Sequence, residues 1–172
     1  QLSVSSHRTF EIRCDLARVE AHFSDFGRML EDLPALKVTR VWGPQQYRIG
    51  YSANISGVYQ VDLFSDVQAR FDAQTHALVV TPLRGFPTVT AQATLRFLTG
   101  QGDYTSQLVL SAKERCTIAT FDLTIAAEIP KPVRLRLVPD AMARMAVQAV
   151  VQRRVQELTD VFIARTLSRL AR

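Results

Sequence analysis

The chain has no long apolar run; its uninterrupted hydrophobic stretches are a few residues each, such as "AVV" at 149–151. A membrane-spanning helix needs about 20 consecutive apolar residues, so none is expected here. Behind the N-terminal "QLSVSSHRTFEIR" there is no basic start followed by an apolar core, so this stretch does not read as a secretory signal. Cysteine is scarce: Cys14 and Cys116 match neither CxxC nor a zinc spacing, and two free thiols in a reducing compartment are expected. That reading places the protein in the cytoplasm, or in the plastid stroma if the source is a plant. "NIS" at 54–56 fits a glycosylation acceptor but, without a secretion signal, reads as coincidental.

Catalytic and cofactor motifs are missing as well. His7, His22 and His76 lie far apart, with no HxH or HExxH spacing, so no metal site is expected. No serine sits in GxSxG, and neither cysteine has an obvious histidine partner, so nucleophilic catalysis has no signal. The glycines form neither GxGxxG nor GxxxxGK. No cofactor is expected.

Charge is present but uneven. Residues 1–130 hold 12 basic and 13 acidic side chains, whereas residues 131–172 hold 9 basic and 3 acidic. The basic C-terminal segment lacks the interleaved aromatics of a nucleic-acid reader, with one Phe and no Trp or Tyr, and no helix-turn-helix partner precedes it. Nucleic acid is therefore not an expected partner.

What the sequence does have is period. "HRTFEIR" (7–13) alternates as a strand; Asp15 can cap a helix over "LARVEAHFSDFGRMLEDL", which Gly27 can split and Pro34 ends. From residue 36 to about 129 the period is two. The runs are 36–42, 46–54, 58–71, 76–83, 88–97 and 104–129, with "GQGD" (100–103) read as a turn and a break near Lys113 to Cys116. In 58–71, Tyr59, Val61, Leu63, Val67, Ala69 and Phe71 share one side; in 88–97, Val89, Ala91, Ala93, Leu95 and Phe97 do. Such alternation describes an antiparallel sheet with one wet and one covered face. Asp62, Asp66, Asp122 and Glu128 fall on the wet face, so no sheltered acid–base pair is expected. Tyr47, Tyr51 and Tyr59 are the polar tips on the covered side.

After a linker at 130–139, no Gly or Pro interrupts the chain to its end, which allows one helix of about 30 residues. Val147, Val150, Val151, Val155, Leu158, Val161 and Phe162 form its apolar arc, with Met142 and Met145 to one side. Ile163, Leu167 and Leu170 fall on another face, which offers a place for a partner. The expected class is α+β: a curved antiparallel sheet of six or seven strands around a long C-terminal helix, with two short helices after the first strand, in one domain over 1–172. A long helix across a curved sheet often leaves room for an apolar ligand, and the small Ala91, Ala93, Ala119 and Ala127 fit such a space.

Three stretches carry a family likeness: "LARVEAHFSDFGRMLEDLPALKVTRVWGPQQYRIGY", "HALVVTPLRGF" and "IPKPVRLRLVPDAMARMAVQAVVQRRVQELTDVF". With the element order, they resemble the START-like (SRPBCC, helix-grip) superfamily. The last stretch is similar to an uncharacterised branch from photosynthetic organisms, in which "LPxPLRLIP" leads into the last helix. The resemblance implies binding or transport of a hydrophobic small molecule (lipid, quinone, pigment or polyketide-like) between sheet and helix. Expected pocket residues are Tyr51, Tyr59, Leu63, Val80, Leu95, Phe97, Phe121 and Ile125 on the sheet, with Met142, Met145 and Val150 on the helix. Two alternatives stand beside this one. The first is a cyclase- or hydratase-type enzyme using Tyr47, Tyr51 or His76; the second is an adaptor docking to anionic membrane or a protein through residues 153–172.

Overall fold

Strict alternation builds the first strand, β1 (Leu2–Ile12). The structure is a computed structural model that describes residues 2–31, 33, 36–55, 59–128, 130, 133 and 137–171; side chains at 31, 55, 59 and 143 lie outside that description. The predicted helix end at Pro34 and the acceptor sequence around Ser56 lie outside it too.

Asp15 caps α1 (Leu16–Phe23) by accepting from the Arg18 amide at 3.0 Å. Asp25 then caps α2 (Phe26–Glu31), accepting from the Arg28 amide at 3.0 Å. The break between the helices thus comes from this second cap; Gly27 lies inside α2. Val19, Phe23, Phe26 and Leu30 are fully buried.

The remaining strands are β2 (Leu36–Gly43), β3 (Gln46–Ile55), β4 (Tyr59–Asp72), β5 (Ala77–Pro82), β6 (Gln92–Ala93), β7 (Phe97–Lys113) and β8 (Cys116–Ala127), and the chain closes with α3 (Asp140–Leu170). The sheet order is β1-β8-β7-β5-β4-β3-β2, with β6 on the edge of β7. This is the helix-grip α+β architecture expected from the sequence, a curved sheet around a long last helix. The expected break after Lys113 is a two-residue turn with Glu114 at φ 51°.

Three expectations about the sheet need correcting. "GQGD" is not a turn: it lies inside β7, which runs 17 residues. Residues 88–91 are not strand, and only Gln92–Ala93 pairs before a turn in which the Thr94 hydroxyl accepts from the Phe97 amide at 2.9 Å. The sheet is not antiparallel throughout, because Gln60–Phe64 of β4 pairs parallel with Phe97–Gln101 of β7. The six-residue β5 explains this pairing. It separates β4 from β7 along part of their length only, and where it stops the two strands meet directly.

Asp66 is the fourth correction. It does lie on the convex face, but it is buried there rather than wet. The segment after β5 folds back over it: the Leu83 amide donates to the Asp66 carbonyl at 2.7 Å, and Arg48 donates to the Pro87 carbonyl. Phe86 stacks on Trp42 with ring centroids 4.4 Å apart. Asp66 accepts from Arg48 and Trp42 at 2.8 Å and from Gln101 at 3.1 Å. Burial works to raise its pKa, but these hydrogen bonds and the Arg48 charge hold the carboxyl below the usual carboxylate range.

On the concave face, α3 packs through Val155, Thr159, Phe162, Thr166 and Leu170, all buried. The Phe162 ring centroid lies 5.1 Å from that of Phe121 and 6.2 Å from that of Phe23. Gln152 donates to the Ser5 carbonyl at 2.7 Å and Arg8 meets Asp160 at 3.3 Å, which fastens α3 to β1. The buried stripe is rotated from the sequence reading. Ile163, Leu167 and Leu170, expected on a separate face open to a partner, pack on the core, while Val161 of the expected arc is exposed. Two threonines lie in the middle of the stripe, and the Thr159 hydroxyl hides its polarity by bonding back to the Val155 carbonyl at 2.8 Å.

Candidate functional site

Period-two alternation sends every second residue of the central strands to the concave face. There β3 presents Ile49, Tyr51 and Ala53, and β4 presents Val61, Leu63 and Ser65. Leu98 and Tyr104 come from β7, and Phe121, Leu123 and Ile125 from β8. The roof is α3, whose helical spacing places Val147, Val150, Val151, Val155 and Leu158 over the sheet. Met29 of α2 and Leu33 beyond its end close one side. These side chains enclose a cavity of about 350 Å³, within the size range of small-molecule sites.

Its polar groups are few. Thr159 is already bonded to Val155. Burial pushes the Tyr104 pKa up, and a hydrogen bond from Ser106 opposes this. Burial also raises the Tyr51 pKa; the Arg154 charge lowers it and the Glu157 charge raises it. Arg154 is the one charged residue in the wall among the described residues, and its Nη1 donates to Glu157 Oε2 at 2.6 Å.

Of the expected pocket residues, Tyr51, Leu63, Phe121, Ile125 and Val150 stand in this wall. Tyr59 has its side chain outside the described residues. Val80 is fully buried, but in the packed core rather than the cavity. Leu95 and Phe97 are 61% and 51% exposed and do not line this cavity. The reason is strand phase: register pairs Phe97 with Gln60 and Leu98 with Val61, so Leu98 turns inward and Phe97 outward, while Leu95 lies in the preceding turn. Met142 and Met145 are 62% and 71% exposed, because the first turns of α3 overhang the sheet. At 31 residues and 1.5 Å per residue the helix is about 46 Å long.

None of Ala91, Ala93, Ala119 and Ala127 borders the space; Ala53 and Ala146 do. Tyr47, Tyr51 and His76 do not converge. Tyr47 packs on Phe26 with centroids 6.0 Å apart, and His76 binds Glu20 of α1. Arg154 escaped the sequence reading, although it lies four residues after Val150 and three after Val151, at the edge of the apolar arc.

No family model and no curated protein matches the sequence. Solved structures match over nearly the whole chain. A protein from Thermus thermophilus superposes with TM-score 0.56 at 18% identity, covering 96% of this chain and 97% of its own. The Zhui aromatase/cyclase from Streptomyces sp. R1128 gives 0.53 at 15%, covering 99% and 96%. A START superfamily protein from Mycobacterium smegmatis gives 0.51 at 12%, covering 94% and 96%. At such identities the likeness concerns architecture alone, and it agrees with the strand order and the long closing helix: the chain has the START-like, helix-grip fold.

Proposed function

We propose that the protein binds or carries a hydrophobic small molecule in the cavity between the sheet and α3. The observation that carries this reading is the cavity itself, about 350 Å³ walled almost wholly by apolar side chains. Removing about 200 Å² of ligand apolar surface from water contributes on the order of 5 kcal/mol before the costs of association. No polar motif is needed for that. The same fold is shared by a START superfamily protein and by the Zhui aromatase/cyclase, in keeping with a hydrophobic small molecule as ligand.

The test is uptake of the neutral apolar dye N-phenyl-1-naphthylamine. Its fluorescence should rise and saturate near one dye per chain, and Ala53→Trp, which fills the wall, should abolish the rise. A flat titration of the wild type, together with no lipid-like molecule in native mass spectra or solvent extracts, would sink the proposal.

The cyclase- or hydratase-type reading keeps one observation, the Tyr51 hydroxyl in the wall beside the field of Arg154. It loses support from Tyr47 and His76, which stand elsewhere. The adaptor reading is left with the charge of the basic segment alone, since Leu170, on the apolar face expected to meet a partner, is buried.

A further inference from the structure

We infer that Arg154 and Tyr51 make this cavity selective for an apolar ligand with one anionic end, a carboxylate in the simplest case. The inference rests on the proposed ligand-binding reading and names the ligand's polarity.

Arg154 lines the cavity at the edge of the apolar stripe of α3, so its stem can lie along the wall while its guanidinium stays at the solvent side. Its charge is not cancelled. Glu157 is shared by two cations, accepting from Arg153 Nε at 2.9 Å and from Arg154 Nη1 at 2.6 Å. Two guanidinium groups on one carboxylate leave a surplus positive charge at the rim. A guanidinium has five N–H donors in a fixed fork that matches a carboxylate, and the Glu157 bond uses one of them. Across the space on β3, the Tyr51 hydroxyl feels the charges of both Arg154 and Glu157 and has no hydrogen-bond partner among the described residues.

The rest of the wall offers little competition for a polar group. Thr159 is engaged with Val155, Tyr104 is buried, and Ser65 adds one neutral hydroxyl. A ligand with two polar ends would strand one of them against apolar side chains, which costs affinity. The cavity of about 350 Å³ is at the small end of the range for ligand sites, so a short-chain carboxylate is the probe of choice.

The experiment compares decanoate with decan-1-ol, which share a chain and differ in charge, as competitors for bound N-phenyl-1-naphthylamine at near-physiological salt. The readout is the ratio of their half-displacing concentrations, so a general change in cavity affinity cancels. For the wild type, decanoate should compete at about tenfold lower concentration or better, the gain of one charge-assisted hydrogen bond. Arg154→Gln should bring the ratio close to one, Arg154→Lys should restore part of it, and Tyr51→Phe should reduce it severalfold. Glu157→Gln, which releases Arg154, should raise it. Arg144→Gln removes a charge from the same helix away from the wall and should leave it unchanged.

Equal competition by the two probes in the wild type overturns the inference while leaving the cavity reading standing. So does a ratio that survives Arg154→Gln, or one lost as fully in Arg144→Gln. If the wild type takes up neither the dye nor either probe, the cavity reading itself fails and this inference fails with it.

Discussion

Arg48 holds Asp66 with two parallel hydrogen bonds, Nε to Oδ1 at 2.8 Å and Nη2 to Oδ2 at 2.7 Å. Both side chains are largely buried, on the face of the sheet opposite the cavity. The pair anchors the segment after β5 and lies next to the junction where β4 meets β7 directly.

Asp66→Asn should cost about 3 kcal/mol, since removing one partner of a buried pair strands the other charge. The loss should depend on pH. The Asp66 pKa is lowered on folding, so its contribution is full above the ordinary carboxylate value of about 3.9 and is lost as pH falls through the lower folded value. Urea unfolding should therefore show a wide gap between wild type and variant at neutral pH, narrowing as the solution is taken into the acid range. A gap independent of pH would contradict the assignment.

Gly102 lies in the stretch of β7 whose composition suggests a turn. A Cβ there would come within 2.6 Å of the Ala126 carbonyl oxygen and 2.7 Å of the Ala127 Cβ. Neither atom can move without shifting β8. Gly102→Ala should destabilise by about 2 kcal/mol, seen as a lower melting temperature. A neutral substitution would mean that β7 and β8 are not paired so closely.

Phe162 joins the aromatic rings of α1 and β8 and stands in the cavity wall. Phe162→Ala should cost about 3–5 kcal/mol by denaturant unfolding. A loss below about 1 kcal/mol would mean that α3 is not seated on the sheet through this face.

Thr159→Val should be nearly neutral, within about 1 kcal/mol. The Val155 carbonyl that accepts the Thr159 hydroxyl sits where a helix amide can already serve it. Thr159→Asp, by contrast, should unfold the protein or strip α3 from the sheet, because it puts an unpaired charge among apolar neighbours. Circular dichroism and denaturant titration separate the two variants.

The fold was largely readable because alternation is a local signal: β1, β3, β4 and β8 each expose their phase within a few residues. The failures lie where phase had to be carried across a turn. Residues 88–97 look like a strand with Phe97 in phase with Leu95, but the turn after Ala93 resets the alternation so that Leu98 faces inward. The parallel contact between β4 and β7 depends on where β5 stops, and hydropathy says nothing about that. In the cavity, residues on well-phased strands such as Tyr51, Leu63, Phe121 and Ile125 could be placed from the pattern. Met142 and Met145 could not, because their exposure depends on how far the helix overhangs the sheet. Asp66 misleads for a related reason: its carboxylate is satisfied by partners that a sequence does not display.

The pairing of the first strand with the last has a consequence in time. Ser3 lies opposite Ala126, so β1 has no neighbour in the sheet until β8 exists. During synthesis at about 5–20 residues per second, more than 100 residues must follow β1, which leaves it unpaired for roughly 6–25 s. Its alternating sequence must survive that interval as an open edge. The charged and hydroxyl side chains of its outer face, Ser3, Ser5, His7, Thr9 and Glu11, are the kind that discourage wrong partners there.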